Sequence, residues 1–269
     1  MAKYFGTNGI RGKLDEMTPE FACRMAAAFG IWSGRGLILV GRDTRTSGQM
    51  LADAVRSGLL SAGCGVLDLG IATAPTVELM VHRLGAEGAI TITASHNPPE
   101  WNALKFVDSK CIAVSKERGE EIEEIFERFG SGEGTGKAKT GKNIGKGAGT
   151  AAWNEIKSAQ EYERALDEHI ETILAHADVE RMRRRKLRLV LDCGNGTAGL
   201  IAPQLFRRLG CKVVTLNAQP DGFFPGRSSE PTRENIRDLI EGVKATGADM
   251  GIAWDGDADR VIFIDEKGG

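Results

Sequence analysis

Short apolar runs alternate with amphipathic stretches along the whole chain. Eight runs rich in β-branched and other apolar side chains predict β-strands, at residues 37–40, 66–69, 88–94, 103–107, 187–192, 213–216, 250–254 and 261–264. Between them, apolar residues recur at three- or four-residue intervals, which predicts helices. The first helix begins after a Thr18 cap and carries Phe21, Met25 and Phe29 on one face. Strands that alternate with helices over short connections predict an α/β fold with largely parallel sheets.

A glycine- and lysine-rich tract separates two such α/β units. Residues 130–150 contain no large apolar side chain except Ile144, so burial cannot offset the entropy of ordering them. We interpret this tract as a flexible linker between a first domain at 1–150 and a second at 151–269. A chain of 269 residues is long enough for two domains of common size.

Composition narrows the classes of partner. A net charge of −2 argues against a general nucleic-acid or anionic-membrane binder, and the basic run at 181–188 is interpreted as a solvated helix end. No apolar run reaches membrane-spanning length and the N-terminus lacks a signal-peptide core, so a cytoplasmic location is expected. The five cysteines are scattered without CxxC spacing, which is typical of core residues in a reducing compartment.

One serine lies in a polar loop between two predicted strands. Ser95 follows the apolar run 88–94, and Asn97-Pro98-Pro99 then forbids helix and continued sheet. Loops at the carboxyl edge of an open α/β sheet are where such folds keep their chemistry. A serine needs a partner to become a nucleophile, and His96 and Lys105 are the nearest candidates. The alternative is a turn whose side chains bond only their own backbone.

A tri-aspartate loop follows the strand at 250–254. Asp255, Asp257 and Asp259 alternate in a glycine-containing loop, where they would repel one another unless a cation lay among them. Few, all-oxygen ligands suit Mg²⁺. An EF-hand would need glycine where Arg260 stands and helices where strands are predicted. A phosphatase with Asp255 as its nucleophile would carry this motif earlier in its chain.

Two glycine-rich segments offer further candidate sites. Residues 194–199 match GxGxxG between a strand and a helix, with Asp221 about twenty residues on, which leaves a dinucleotide site and an NAD-dependent oxidoreductase as an alternative. Asp221 lies in a Pro-Asp-Gly turn, however, whereas the dinucleotide fold needs an acid at the end of the second strand. The opening FGTNGIRG places Arg11 on a tight loop, where a guanidinium can bind a phosphate or carboxylate, although these residues alone favour a surface charge on a turn.

Taken together, these motifs resemble the α-D-phosphohexomutases, which include phosphoglucomutase, phosphomannomutase and phosphoglucosamine mutase, most closely the archaeal type. TASHNPPEWNALK at 93–105 is similar to the family's phosphoserine loop, and DGDADR at 255–260 to its metal loop. FGTNGIRG, GRDTRTSG and PDGFFP resemble further signatures in the family's order. The resemblance covers essentially the whole chain and implies two consecutive three-layer α/β/α domains with mainly parallel mixed sheets.

The resemblance also implies a role for each candidate residue. Ser95 would be the phosphorylated nucleophile, and its oxygen would complete a magnesium site with Asp255, Asp257 and Asp259. Lys105 and Arg11 would serve the reacting hydroxyl and phosphate, with His96 supporting the loop and Arg260 holding phosphate or sugar. The implied reaction interconverts hexose 1- and 6-phosphates through a bisphosphate, with hexose 1,6-bisphosphate as activator.

Three departures from the family pattern are present. Asn8 stands where the family usually has Asp, and Ala103 stands where Gly is usual, which is expected to stiffen or distort the loop. Family members have four domains, and this sequence matches the first two. We therefore expect the catalytic N-terminal half of a mutase, poorly active alone, with a second chain supplying domains III and IV. The alternative is a non-catalytic remnant that binds Mg²⁺ and a phosphosugar weakly.

Overall fold

The fold is that of a computed structural model, which describes residues 3–129 and 149–269. The predicted linker lies outside the described residues over 130–148. The strands are β1 (Ile10–Lys13), β2 (Leu37–Arg42), β3 (Gly65–Ile71), β4 (Gly88–Ile92), β5 (Trp101–Asp108), β6 (Ala159–Glu161), β7 (Arg188–Asp192), β8 (Lys212–Leu216), β9 (Met250–Trp254) and β10 (Val261–Asp265). The helices are α1 (Pro19–Trp32), α2 (Gly48–Ser61), α3 (Ala74–Leu84), α4 (Lys116–Phe129), α5 (Ala165–His176), α6 (Val179–Arg185), α7 (Ala198–Arg208) and α8 (Arg237–Thr246).

The first sheet has six strands in the order β1-β5-β4-β2-β3-β6. Strands β4, β2, β3 and β6 run parallel, whereas β5 is antiparallel to both β4 and β1. Successive strand residues face opposite layers: Ile38 and Val40 pack with α1, α2 and α4, while Leu39 packs with α3 and the start of α5. The predicted three-layer α/β/α arrangement of the first domain is therefore confirmed.

The second sheet has four strands in the order β10-β9-β7-β8. Strands β8, β7 and β9 run parallel to one another, whereas the edge strand β10 is antiparallel to β9 and is joined to it by the tri-aspartate loop. One face packs on α7 through Leu189 and Leu191, and the other packs on α8 through Val190. This mixed, mainly parallel sheet covered on both faces agrees with the three-layer arrangement that the family resemblance implies for the second domain.

Two strands differ from the sequence analysis. Arg11 was expected on a tight loop, but it lies on β1 and pairs in register with Ala103 of β5. The short β6, in the part of the chain assigned to the second domain, pairs with β3 of the first sheet. The division at residue 150 stays a prediction, and this pairing favours a boundary after residue 161.

Ala103, which stands where the family usually has Gly, leaves β5 regular. Ala103 is fully buried, its N–H donates to Asn102 Oδ1 at 2.8 Å, and its carbonyl accepts the N–H of Thr93 at 3.1 Å. The expected distortion from its Cβ is therefore not seen. Across residues 3–129 and 149–269, none of the helices has both the length and the apolarity needed to cross a membrane.

Candidate active site

The serine loop leaves the carboxyl end of β4 and turns sharply. Ser95 has a left-handed backbone, with φ of +53°, and is 2% exposed. A non-glycine residue persists there only when its surroundings hold it. Its N–H donates to the Thr93 hydroxyl at 2.9 Å, and its own hydroxyl donates to Asp255 Oδ2 at 2.6 Å. The structure thus brings the candidate nucleophile of the first domain onto the first aspartate of the second.

The three aspartates of the second domain form one cluster between β9 and β10. A carboxylate oxygen from each of Asp255, Asp257 and Asp259 lies within 4.8 Å of the others, and the first two residues are fully buried. Asp257 Oδ1 is buried without a hydrogen-bond partner. A hard divalent cation binds oxygen ligands, and a cluster of carboxylates with one buried, unpaired oxygen supplies them. These residues therefore fit Mg²⁺, and the flanking strands contradict an EF-hand.

Lys105 supplies the positive charge closest to this cluster. It is buried on β5, and its Nζ donates to Asp257 Oδ2 at 2.7 Å and to Asp259 Oδ2 at 2.8 Å. Burial alone would lower the pKa of Lys105, but these two carboxylates raise it above its ordinary value. The lysine is therefore an ammonium ion at neutral pH, held between two candidate metal ligands.

The aspartates do not share one ionisation behaviour. Burial, reinforced by the charge of Asp257, raises the pKa of Asp255 to about 7. Burial also acts on Asp259, but the ammonium of Lys105 outweighs it and holds the pKa of that carboxyl below its usual range. The cluster thus contains one carboxyl poised to change charge near neutral pH and one that stays ionised.

Three further predicted residues surround the serine loop. Arg11 Nη1 donates to Asn97 Oδ1 at 2.6 Å, and His96 Nδ1 lies 3.3 Å from the Ser95 hydroxyl oxygen. Burial, helped by the charge of Arg260, lowers the pKa of His96, which leaves the ring neutral at pH 7. Arg260 has a half-exposed side chain and a distant ion pair with Glu230 at 3.7 Å. Its guanidinium is therefore accessible to an anionic ligand, whereas the His96 ring contacts the Ser95 hydroxyl.

The glycine motif at 194–199 is filled by the protein itself. A Cβ on Gly196 would lie 2.6 Å from the carbonyl oxygen of Gly256 in the metal loop, and one on Gly199 would lie 2.1 Å from the carbonyl of Ala218. The N–H of Thr197 donates to the same Gly256 carbonyl at 3.0 Å. The backbone of Gly256 and Ala218 therefore occupies the space that a bound pyrophosphate would need beside these glycines. The interpretation as a dinucleotide site is wrong.

Close backbone contacts hold the two domains together around the site. The N–H of Ala74, at the start of α3, donates to the Asp257 carbonyl at 2.9 Å. Gly222 of the PDGFFP segment lies so close to the first domain that a Cβ there would be 2.4 Å from the carbonyl of Thr44. Ser229 of the second domain donates to the Ser95 carbonyl at 3.0 Å. The serine loop and the aspartate loop therefore meet at a closely packed interface between the two domains.

Sequence reasoning assigned no role to Asp43, Arg45 or Thr93, which the structure places within the site. Thr93 donates its hydroxyl to Asp43 Oδ2 at 2.7 Å and lies 3.1 Å from Asp257 Oδ2. The available signal was position: Asp43 directly follows β2, whose carboxyl end lies beside that of β4 in a parallel pair. Polar residues after neighbouring parallel strands meet at one sheet edge.

Comparison with known proteins identifies the class of this fold and site. The family models described as phosphoglucomutase/phosphomannomutase, alpha/beta/alpha domain I and domain II match residues 2–132 and 167–268. The chain therefore belongs to the phosphoglucomutase/phosphomannomutase family, as its first two domains. The resemblance drawn from the motifs is confirmed.

Individual relatives agree with that assignment. A phosphoglucomutase/phosphomannomutase of Thermococcus kodakarensis is 45% identical over 100% of this chain and 56% of its own length. A phosphoglucosamine/phosphogalactosamine mutase of Sulfurisphaera tokodaii is 38% identical over 100% of this chain and 56% of its own. The crystal structure of a family protein from Burkholderia thailandensis matches 98% of this chain and 54% of its own with a TM-score of 0.79 at 29% identity. The chain thus spans about half the length of these relatives.

Proposed function

We propose that this chain forms the phosphoserine- and metal-bearing half of a phosphohexomutase, in which a phosphoryl group moves between Ser95 and a hexose phosphate. The observation that carries the proposal is the 2.6 Å hydrogen bond from the Ser95 hydroxyl to Asp255, beside the unpartnered oxygen of Asp257. Phosphoryl transfer depends on positioning and on neutralisation of charge more than on covalent chemistry by the protein. A buried serine amid acids, a lysine and arginines meets both needs.

In the forward transfer, the oxygen of a hexose hydroxyl forms a bond to phosphorus while the bond from phosphorus to Ser95 Oγ breaks. Overall, the proton that the hexose hydroxyl releases replaces the phosphoryl group on Ser95 Oγ, so atoms and charge balance. The ammonium of Lys105 is suited to neutralise phosphate charge and to donate a proton, and Arg11 adds a second charge beside the loop. Bound Mg²⁺, held by Asp255, Asp257 and Asp259, would act as a Lewis acid towards the phosphoryl oxygens.

The substrate and the remaining parts of the enzyme belong to the same proposal. A hexose 1-phosphate and a hexose 6-phosphate would exchange through a hexose 1,6-bisphosphate, which would also load Ser95 with its first phosphate. Because the relatives are nearly twice as long as the aligned region, we propose that sugar recognition comes from a second pair of domains, present on the same polypeptide or on a partner chain.

Phosphate incorporation tests the proposal directly. The purified chain is incubated with Mg²⁺ and glucose 1,6-bisphosphate, and intact mass with peptide mapping locates any added phosphate. We expect a gain of about 80 Da, the mass of one phosphoryl group, on the Ser95 peptide. Ser95→Ala must abolish the gain, whereas Ser109→Ala, at an exposed serine in the turn after β5, must leave it unchanged.

The same experiment separates the second candidate, a non-catalytic module that binds Mg²⁺ and phosphosugar. Two results would favour the binding module. The chain would bind Mg²⁺ without acquiring phosphate on Ser95, and a chain made with phosphoserine at 95 would keep its phosphoryl group in the presence of hexose phosphate. Phosphate on Ser95 that is released to glucose 6-phosphate would favour the mutase half.

A further inference from the structure

The backbone of the serine loop converges on one buried guanidinium. The side chain of Arg45 is 0% exposed, and its Nη2 donates to the carbonyls of Ser95 at 2.9 Å and Asn97 at 2.7 Å. Its Nη1 donates to the carbonyls of Pro98 at 2.5 Å and Trp101 at 2.9 Å. Four carbonyls spread over seven residues of loop thus share one planar donor, which only arginine provides.

The arginine is itself fixed from both domains. Its Nε donates to Asp43 Oδ2 at 2.9 Å, and Asp43 is fully buried on the same sheet edge. On the other side, the ring of Phe224 lies with its centroid 5.2 Å from the guanidinium carbon. Phe224 belongs to the second domain and takes a left-handed backbone, with φ of +50°, to reach this place. The fork is therefore preoriented by an acid of the first domain and covered by a ring of the second.

The left-handed backbone of Ser95 is held on both sides, because its N–H donates to the Thr93 hydroxyl and its carbonyl accepts from Arg45. The carbonyl of Ser95 receives Arg45 from one side and the Ser229 hydroxyl at 3.0 Å from the other. Fixing that carbonyl fixes the peptide plane beside Ser95, and with it the direction of the hydroxyl towards Asp255. A displacement of about 1 Å in such a group costs about a hundredfold in rate.

We propose that Arg45 is the positioning residue of the serine loop, holding Ser95 in the conformation that directs its hydroxyl into the aspartate cluster. Arg45 does not touch the reacting atoms; it acts through the loop backbone. The consequence for rate rests on the proposed function of Ser95, whereas the consequence for loop order does not. The two can therefore be measured separately.

The test uses Arg45→Ala, Arg45→Lys and the matched control Arg56→Ala. Arg56 lies on α2 and pairs with Asp68 at 2.9 Å, away from the serine loop. Hydrogen exchange read by mass spectrometry reports protection of residues 93–103, and phosphate incorporation from glucose 1,6-bisphosphate reports the rate at Ser95. Millimolar guanidinium chloride is then added, because the free ion reproduces the missing planar donor.

In Arg45→Ala, we expect the loop amides to lose their protection from hydrogen exchange and Ser95 to be phosphorylated about a hundredfold more slowly. Guanidinium should restore both. Arg45→Lys is expected to stay slow, because an ammonium cannot reach four carbonyls. Arg56→Ala is expected to show wild-type loop protection and a wild-type rate of phosphorylation, and neither should change when guanidinium is added. If Arg45→Ala does not fold, the test uses Arg45→Lys, provided that its overall fold is unchanged. The protection of its loop amides from hydrogen exchange is then compared with that of the wild type.

The proposal is overturned if either Arg45 variant keeps wild-type protection of the loop, or if folded Arg45→Ala fails to respond to guanidinium. Absence of phosphate on wild-type Ser95 would instead count against the proposed function. In that case the hydrogen-exchange comparison still decides the role of Arg45.

Discussion

Asp255→Asn should stabilise the metal-free protein at alkaline pH while weakening its response to Mg²⁺. Asp255 is fully buried, and burial together with the neighbouring charge of Asp257 raises its pKa to about 7. Above that pH the folded chain must keep the buried charge without a cation. An asparagine at this position removes the charge but retains an oxygen that accepts the Ser95 hydroxyl.

The magnitude follows from linkage between proton binding and folding. The unfolded carboxyl ionises near its ordinary pKa of 3.8 and the folded one near 7, so stability falls as pH rises between these values and then levels off. That interval corresponds to about 4 kcal/mol. Because the loop relaxes around a charged Asp255, we expect the variant to be more stable than the wild type by about 2 kcal/mol at pH 8. The difference should narrow as pH falls towards 4.

Urea unfolding in EDTA at pH 8 and pH 5 measures this difference, and Asp259→Asn provides a control of opposite sign. Lys105 holds the pKa of Asp259 below its usual range, so its charge stabilises the fold above pH 4 and its removal should destabilise the protein at pH 8. Addition of Mg²⁺ should stabilise the wild type more than Asp255→Asn, because the substitution changes one of the three candidate ligands. An Asp255→Asn protein no more stable than wild type in EDTA at pH 8 would refute the reasoning.

Three other perturbations test separate contacts. Lys105→Met leaves the buried Asp257 and the partly exposed Asp259 without their cation and should cost about 3 kcal/mol in EDTA at pH 8, partly recovered by Mg²⁺, as urea unfolding will report. Gly196→Ala places a Cβ 2.6 Å from the Gly256 carbonyl, and should cost about 2 kcal/mol and reduce the Mg²⁺-induced rise in Tm; unchanged values would contradict the packing described. Glu123→Ala removes the carboxylate that accepts three backbone N–H groups of the N-terminal segment at 2.7–2.8 Å. Hydrogen exchange at residues 3–5 should rise, and protection equal to wild type would show that another contact anchors them.

Much of the fold was predictable because its central strands are buried on both faces. Strands β2, β4, β7 and β9 are near-continuous apolar runs, which identify them without any alignment. By contrast, β1 has every second residue exposed and contains Gly12, so its apolar signal is weak. The three-residue β6 carries almost no signal at all, and only its pairing with β3 reveals it.

The candidate site divides in the same way. Ser95 and the three aspartates lie in short motifs, so sequence reasoning found them, and the structure brings them together. Arg45 was not found as a site residue because its partners are backbone carbonyls about fifty residues away, and a carbonyl carries no residue-type signature. GxGxxG was misleading for a related reason, since glycine admits any closely approaching group, here the backbone of Gly256.

The most direct measurement of the central claim is the ³¹P NMR signal of phosphoserine at position 95 in the presence of Mn²⁺, a paramagnetic substitute for Mg²⁺. Phosphoserine incorporated genetically at 95 removes any dependence on a phosphate donor. If the serine loop and the aspartate loop form one site, Mn²⁺ should broaden the signal strongly, and Asp257→Ala should abolish the broadening. A signal that stays sharp with Mn²⁺ bound would contradict a shared phosphoryl-transfer site.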